Sequence, residues 1–130
     1  MGNQEKLNPT PSELAILQIL WENGPNAVKM VHEKLAEEKE VVYTTTLKTM
    51  QVMWEKGMLT REAAGRKHIY QAIVQEDETQ SVLLDKFLHK TFGGSALRMV
   101  MKALGNYKTS AEEIKALKKY IKSIEKSKDQ

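Results

Sequence analysis

The change from helical to alternating spacing of apolar residues at Gly57 constrains the fold of this chain most. Apolar residues before Gly57 recur at the spacing of helices, whereas residues 58–73 alternate as the strands of a hairpin do. The two patterns are not interchangeable, since one repeats every ~3.6 residues and the other every two or so. A compact set of helices closed by a β-hairpin is therefore expected for the first half of the chain.

The first helix has clear start and stop signals. Thr10 can cap it, Pro11 suits its first position, and Glu13 stands where a capping box needs a carboxylate. The run Asn23-Gly24-Pro25 ends it. Its apolar stripe consists of Leu14, Ile16, Leu17, Leu20 and Trp21. Asn26 is expected to cap a second helix, whose buried side carries Val28, Val31 and Leu35.

A third helix and a hairpin complete this region. The segment Val41-Val42-Tyr43 reads as an extended entry, after which Thr44 or Thr45 opens a helix that runs to Lys56, with Gly57 as a left-handed terminator. Residues 58–62 form one strand, residues 63–66 turn, and residues 67–73 return, with His68, Tyr70 and Ala72 on one face. The prediction is a mainly α fold: a winged helix-turn-helix domain over residues 8–75, with three helices and a β-hairpin wing.

The third helix has an outward face that suits the major groove of DNA. At about 100° per residue, its inward side comprises Leu47, Met50, Met53 and Trp54, with Thr46 nearby. Its outward side comprises Thr44, Thr45, Lys48, Gln51, Val52 and Glu55. Hydroxyl, methyl, amide and ammonium groups can contact base edges or phosphates, and a helix N-terminus favours a phosphate. Alternatively, the threonines are caps and Lys48 is a solvated charge.

Positive charge is local rather than global in the first domain. Residues 1–75 carry nine Lys or Arg and nine Asp or Glu, yet Glu55 and Glu62 alone oppose a basic group formed by Lys48, Lys56, Arg61, Arg66 and Lys67. Arg61, Arg66 and Lys67 flank the turn of the wing and are expected to contact phosphates. Basic hairpin tips can also serve solubility. The neutral net charge leaves open a second class of function, a winged-helix module that binds protein instead of DNA.

Residues 76–127 read as three amphipathic helices. Gly93-Gly94 separates the first two, Gly105 ends the second, and Ser110 with Glu113 forms a capping box for the third. Such short helices bury little surface alone, which favours a helical dimerisation domain over a monomer in which they fold back. The expected interface comprises Leu83, Phe87, Leu97, Val100, Met101, Leu104, Leu117, Ile121 and Ile124.

Composition excludes several other classes of protein. The chain has no cysteine, and His32, His68 and His89 share no metal-ligand spacing, so neither a metal nor another cofactor is expected. No Ser, His and Asp grouping indicates an enzyme. No apolar run approaches the ~20 residues of a membrane span, and the polar start of the chain lacks the apolar middle of a signal peptide. These features predict a cytoplasmic protein.

Several motifs resemble the penicillinase-repressor family (the BlaI/MecI type). They are the run from Leu14 to Trp21, the helix start from Tyr43 to Met50, the run from Glu55 to Leu59, the break Phe92-Gly93-Gly94-Ser95, and the capped Glu112-Glu113-Ile114 helix. The resemblance covers residues 8–125. It implies a homodimeric repressor on an inverted-repeat operator in double-stranded DNA, near resistance or stress-response genes, with half-sites about one helical turn or multiples apart.

The resemblance also marks a departure that concerns a further partner. The β-lactamase repressors of the family are inactivated by a membrane metalloprotease sensor pathway that cuts an Asn-Phe bond after the Gly-Gly break. Counting from Gly94, the matching pair in this chain is Lys102-Ala103. This replacement argues against the same release route.

Overall fold

The computed structural model describes residues 8–128, which form six helices and three strands. Residues 1–7 and 129–130 lie outside the described part. The expected lack of a signal peptide rests on the polar start of the chain and therefore concerns residues outside that part. The helices are α1 (Pro11–Asn23), α2 (Val28–Ala36), α3 (Tyr43–Glu55), α4 (Glu76–Phe92), α5 (Ala96–Asn106) and α6 (Ala111–Lys128). The strands are β1 (Asn26–Ala27), β2 (Leu59–Ala64) and β3 (Lys67–Ala72). The expected mainly helical fold class is confirmed. The chain divides into two compact units, one ending at Lys86 and one beginning at Phe87.

Helix α1 begins and ends as its sequence predicts. The backbone N–H of Thr10 donates to Oε1 of Glu13 at 2.9 Å, and the backbone N–H of Glu13 donates to Oγ1 of Thr10 at 3.2 Å. This reciprocal pair satisfies donors that the first turn of a helix otherwise leaves free. At the other end, Gly24 adopts a φ of +80°, which glycine reaches without steric cost.

A third strand joins the hairpin, and the prediction that Asn26 caps the second helix is wrong. Asn26 and Ala27 form β1, which pairs antiparallel with Tyr70 and Ile69 of β3, so the sheet has the order β1-β3-β2. The side-chain Oδ1 of Asn26 accepts from the backbone N–H of Ala27 at 3.1 Å, and no side chain caps α2. The pairing with β3 holds this segment in an extended conformation instead.

The hairpin of β2 and β3, here called the wing, has a tighter turn than its sequence suggests. Ala64 pairs with Lys67, which leaves Gly65 and Arg66 as a two-residue turn. Gly65 has a φ of +67°, as the first position of a type II′ hairpin turn requires. Arg66 and Lys67 are consequently placed at the exposed tip of the wing.

The hydrophobic core lies in the first unit and draws on every element before α4. Helix α1 contributes Ile16, Leu17 and Leu20, and α2 contributes Val28, Val31 and Leu35 to the same cluster. It is completed by Met50, Met53, Met58, Leu59, Tyr70 and Val74. The indole Nε1 of Trp21 donates to the carbonyl of Val74 at 3.0 Å, which ties α1 to the segment after β3. The wing therefore stands on the same core that positions α3.

The second unit has helices but no buried side chain among its described residues in α5 and α6. Gly93 and Gly94 adopt φ values of +60° and +86° and break the helical run as expected. Gly105 does not end α5: the helix continues to Asn106, because the backbone N–H of Tyr107 still donates to the carbonyl of Ala103 at 3.1 Å. The capping box of Ser110 and Glu113 at the start of α6 is confirmed.

Candidate nucleic-acid interface

Helices α2 and α3 form a helix-turn-helix that a polar contact holds together. Nδ1 of His32 lies 3.1 Å from Oγ1 of Thr46, and the His32 ring meets the Tyr43 ring edge to face at 5.5 Å between centroids. The side chain of Thr46 is buried, so this contact stands at the junction and not on the surface. It fixes the first turn of α3 against the preceding helix.

Helix α3 begins at Tyr43, before either threonine that was expected to open it. The carbonyl of Val42 accepts from the backbone N–H groups of Thr45 and Thr46 at 3.0 and 3.3 Å, and no side chain caps this end. The alternative that Thr44 and Thr45 are caps is therefore wrong. Both side chains are exposed in the first turn of α3.

The faces of α3 separate largely as helical spacing predicts. Thr46, Met50 and Met53 are buried and Leu47 is half-buried, while Thr44, Thr45 and Lys48 are exposed. Gln51 and Val52 are half-buried, so they lie at the margins of the outward face. The prediction for Trp54 is wrong, because its side chain is 39% exposed; its position on α3 falls at the edge of the core, where strand β2 covers one face of the ring.

A groove of about 330 Å³ separates α3 from the tip of the wing. On the α3 side it is lined by Tyr43, Leu47 and Gln51, and on the wing side by Arg66, Lys67, His68 and Tyr70, with Ala27, Val28 and Lys29 at its end. The structure thus brings Gln51 together with Arg66 and Lys67. Thr45 lines a different hollow beside the turn between α2 and α3.

The groove also includes polar residues that the sequence analysis missed. The sequence predicted Tyr43 in an extended entry and His68 on one face of a strand, and it indicated no role for Lys29. The T-shaped contact between the rings of His68 and Tyr70, 6.4 Å apart, orients His68. The proximity of Lys29 to His68 depends on the pairing between β1 and β3, which no local pattern in the sequence predicts.

Two members of the expected basic group have partners. Nζ of Lys56 lies 2.8 Å from Oε2 of Glu13, whose side chain is 5% exposed, so the prediction that Lys56 contributes free positive charge is wrong. The guanidinium carbon of Arg61 lies 3.6 Å from the centroid of the Trp54 ring. Such stacking leaves the N–H groups of an arginine able to donate at its edge. Lys48, Arg61, Arg66 and Lys67 remain as cations around the groove and α3.

This arrangement offers hydroxyl, amide and cationic donors along one helix and one hairpin, the groups that duplex DNA accepts at base edges and phosphates. Within residues 8–128, no group of three His, Cys, Asp or Glu side chains could hold a metal ion. No helix of that part of the chain is long and apolar enough to span a membrane.

The fold and this surface define a winged helix-turn-helix protein. A sequence model of the penicillinase repressor family matches residues 9–123, and the chain belongs to that family. The family assignment made from the motifs is thereby confirmed.

Curated relatives and solved structures agree with the assignment. The chain is 24% identical over 115 residues to the transcriptional regulator BlaI of Mycobacterium tuberculosis, covering 87% of this chain and 82% of that protein. It is 21% identical to a penicillinase repressor of Staphylococcus aureus, covering 88% and 91% respectively. The solution structure of the DNA-binding domain of the repressor BlaI matches with a TM-score of 0.52 at 18% identity, over 57% of this chain and 90% of that one. A MarR family protein from Bacillus stearothermophilus matches with a TM-score of 0.50 at 18% identity, over 94% of this chain and 76% of that one. The winged helix-turn-helix fold is confirmed.

Proposed function

We propose that this protein is a homodimeric repressor that binds an inverted-repeat operator in double-stranded DNA and controls resistance or stress-response genes from the cytoplasm. The observation that carries the proposal is the exposed row of Thr44, Thr45 and Lys48 on α3. On the same helix, Gln51 faces the cationic wing across the groove. Threonine is a weak helix former, so a ligand explains two exposed threonines in the first turn of a helix better than helix stability does. The names of the curated relatives, a transcriptional regulator and a penicillinase repressor, support the same function.

We assign the site residues two roles: one set reads the base sequence, and the other positions the protein on the DNA backbone. Thr44, Thr45, Lys48, Gln51 and Val52 read base edges in the major groove, with Val52 offering a methyl contact to thymine. Arg61, Arg66 and Lys67 contact phosphates, which fixes the register of the protein without reading sequence. A 45% exposed Tyr43 at the start of α3 joins the reading set.

The homodimer is proposed from the second unit, where apolar side chains lack cover. Leu97, Met101 and Ile121 are 69%, 64% and 54% exposed in the single chain. The other expected interface residues of that unit are also at least partly exposed: Phe87, Val100, Leu104, Leu117 and Ile124. Leu83, in the last part of the first unit, is half-buried. Large apolar side chains exposed in such number favour an interaction site, and a second copy would also supply the two-fold symmetry that an inverted repeat mirrors.

Binding of the purified protein to a DNA fragment carrying its own promoter, measured at several salt concentrations, tests the proposal. We expect Thr45→Ala/Lys48→Ala to weaken promoter binding about thirtyfold or more, since each of the two lost base contacts contributes about 1–3 kcal/mol. The matched control is Thr60→Ala/Lys34→Ala, which removes one exposed threonine and one exposed lysine elsewhere in the same unit. Equal losses in both variants would contradict the proposal. No shift of any fragment at low salt would instead favour a protein-binding winged helix.

A further inference from the structure

The two compact units carry opposite net charge, and the unit without the winged helix is the positive one. Residues 8–86 have nine Lys or Arg against twelve Asp or Glu, a formal net charge of −3. Residues 87–128 have ten against three, a formal net charge of +7. A protein whose partner is DNA therefore concentrates its positive charge outside the unit that holds the recognition helix. This asymmetry points to a second contact with a polyanion.

Much of the excess lies on one side of α6. At about 100° per residue, five lysines fall within an arc of about 100°; this lysine face comprises Lys115, Lys118, Lys119, Lys122 and Lys126. The opposite side carries the apolar row of Ile114, Leu117, Ile121 and Ile124. The lysine face is thus separate from the surface assigned to the second copy.

The lysine face is exposed, and Glu112 is the single carboxylate in the concavity that four of its lysines line. All five side chains are exposed, and none forms an ion pair with another residue between 8 and 128. Four of them, with Glu112 and Ala116, line one open concavity of about 580 Å³. Lys115 and Lys119, like Lys118 and Lys122, are four positions apart, and like charges at this spacing destabilise a helix. A helix face that served solubility alone would carry positively and negatively charged side chains in similar numbers.

We propose that the lysine face of α6 binds the phosphate backbone of duplex DNA, independently of sequence, and adds to the operator contacts of the winged helix. The proposal rests on the DNA binding proposed above. DNA is the favoured polyanion because the winged helix already tethers it to the same chain, so even weak phosphate contacts act at high effective concentration. Stable binding to a membrane surface would also draw on the apolar row of α6, but that row is assigned to the dimer and contains neither Trp nor Phe.

The test compares full-length variants on a random duplex of about 40 base pairs, chosen to span a phosphate-binding site without an operator. The lysine-face variant replaces Lys115, Lys118, Lys119 and Lys122 with Gln. The charge-matched control replaces four exposed lysines elsewhere with Gln: Lys34, Lys86, Lys90 and Lys108. The dissociation constant is measured against salt concentration for each, after light scattering has verified the mass.

Each neutralised phosphate contributes about 0.9 to the log–log salt slope. If half of the substituted lysines in a dimer contact phosphates, the lysine-face variant loses about 3 to 4 units of slope, whereas the control keeps the slope of the wild type. Replacing the same four lysines with Arg is expected to preserve it. Equal slopes for the lysine-face variant and its control overturn the proposal. Should the fourfold variant not fold, the single reversal Lys119→Glu must still reduce the slope.

Two further measurements separate the possible failures. Cosedimentation of the wild type with vesicles containing anionic phosphatidylglycerol, lost in the lysine-face variant while the DNA slope stays unchanged, would assign the face to lipid and overturn the proposal. A failure of the proposed operator recognition is detected by a different measurement, the affinity for the promoter. In that case Thr45→Ala/Lys48→Ala leaves promoter affinity unchanged, whatever slope the lysine-face variant gives on random DNA.

Discussion

The guanidinium carbon of Arg61 lies 3.6 Å from the centroid of the Trp54 ring. Trp54 belongs to the last turn of α3 and Arg61 to strand β2, so the stack joins the base of the wing to the candidate recognition helix. A cation held on an aromatic face has fewer conformations to lose when it binds an anion. Arg61 is thereby pre-positioned for a phosphate beside α3, in contrast to Arg66 and Lys67 at the exposed tip.

Replacing Trp54 with Leu tests this positioning role. We expect DNA affinity to fall about twofold to fivefold, because a cation–π contact at a partly exposed site contributes about 0.5–1 kcal/mol. Fluorescence anisotropy of a labelled promoter duplex measures the change. Arg61→Ala in the Trp54→Leu background should then cost less than Arg61→Ala alone. Fully additive losses would mean that the stack does not assist the arginine.

The ion pair of Glu13 and Lys56 connects the start of α1 to the end of α3. The Glu13 carboxylate accepts from the backbone N–H of Thr10 at 2.9 Å and from Nζ of Lys56 at 2.8 Å. Lys56→Met removes one partner of a nearly buried charge. Because the lysine itself is 31% exposed, we expect a loss of about 1–2 kcal/mol in the free energy of unfolding.

Urea denaturation measures this loss, and the matched control is the double variant Glu13→Gln/Lys56→Met. It keeps an acceptor for the Thr10 N–H but no longer buries a charge, so it should recover part of the stability. A single variant as stable as the wild type would show that the pair contributes nothing.

The stability of the folded protein at acid pH should depend in part on the capping box of α6. The pKa of Glu113 lies below its ordinary value of 4.5, chiefly because the backbone N–H of Ser110 donates to the carboxylate, and further because of the Ser110 side chain. A carboxyl with a lowered pKa in the folded state stabilises that state above its ordinary pKa, and the contribution disappears as the pH falls through the lowered value.

An NMR titration of the Glu113 carboxyl checks the direction of this shift. The midpoint should lie below 4.5 in the wild type and should rise in Ser110→Ala, where the N-terminus of α6 loses its side-chain cap. A wild-type midpoint at or above the ordinary value would contradict the prediction.

The parts of the fold that follow from short-range contacts could be predicted from the sequence. The boxes of Thr10 with Glu13 and of Ser110 with Glu113 each join residues three positions apart. Gly57 adopts a φ of +84° directly after the third helix, as expected. Such contacts depend on neighbours along the chain, which the sequence specifies directly.

Features that depend on distant elements could not be predicted. Asn26 has the composition of a cap, but pairing with Tyr70 places it in a strand. Lys56 has the spacing of a free positive charge, but the fold brings it to Glu13. Trp54 has the spacing of a core residue, but it is 39% exposed, with Arg61 of β2 over its ring. In the candidate interface, helical spacing correctly predicts that Lys48 is exposed and Met50 is buried. The groove could not be predicted, because it depends on where the wing lies relative to α3.

The dimer proposed from the second unit predicts the effect of one charge on α6. Ile121 is 54% exposed in the single chain, so Ile121→Asp leaves the packing within the protomer largely intact but would bury a carboxylate at the interface, which is strongly unfavourable. We expect monomers by light scattering at micromolar concentration. Promoter affinity should fall about a hundredfold or more, because the two half-site contacts are no longer linked.

The matched control for this variant is Ser123→Asp, which adds the same charge two residues further along, on the opposite side of α6. It should remain dimeric; because Ser123 borders the lysine face, the mass of this variant, and not its DNA affinity, serves as the control. Far-ultraviolet circular dichroism verifies that both variants keep their helices. If Ile121→Asp has the mass of a dimer, the apolar row of α6 is not the contact between the two copies, and the exposed side chains of α5, led by Leu97 and Met101, become the surface to substitute next.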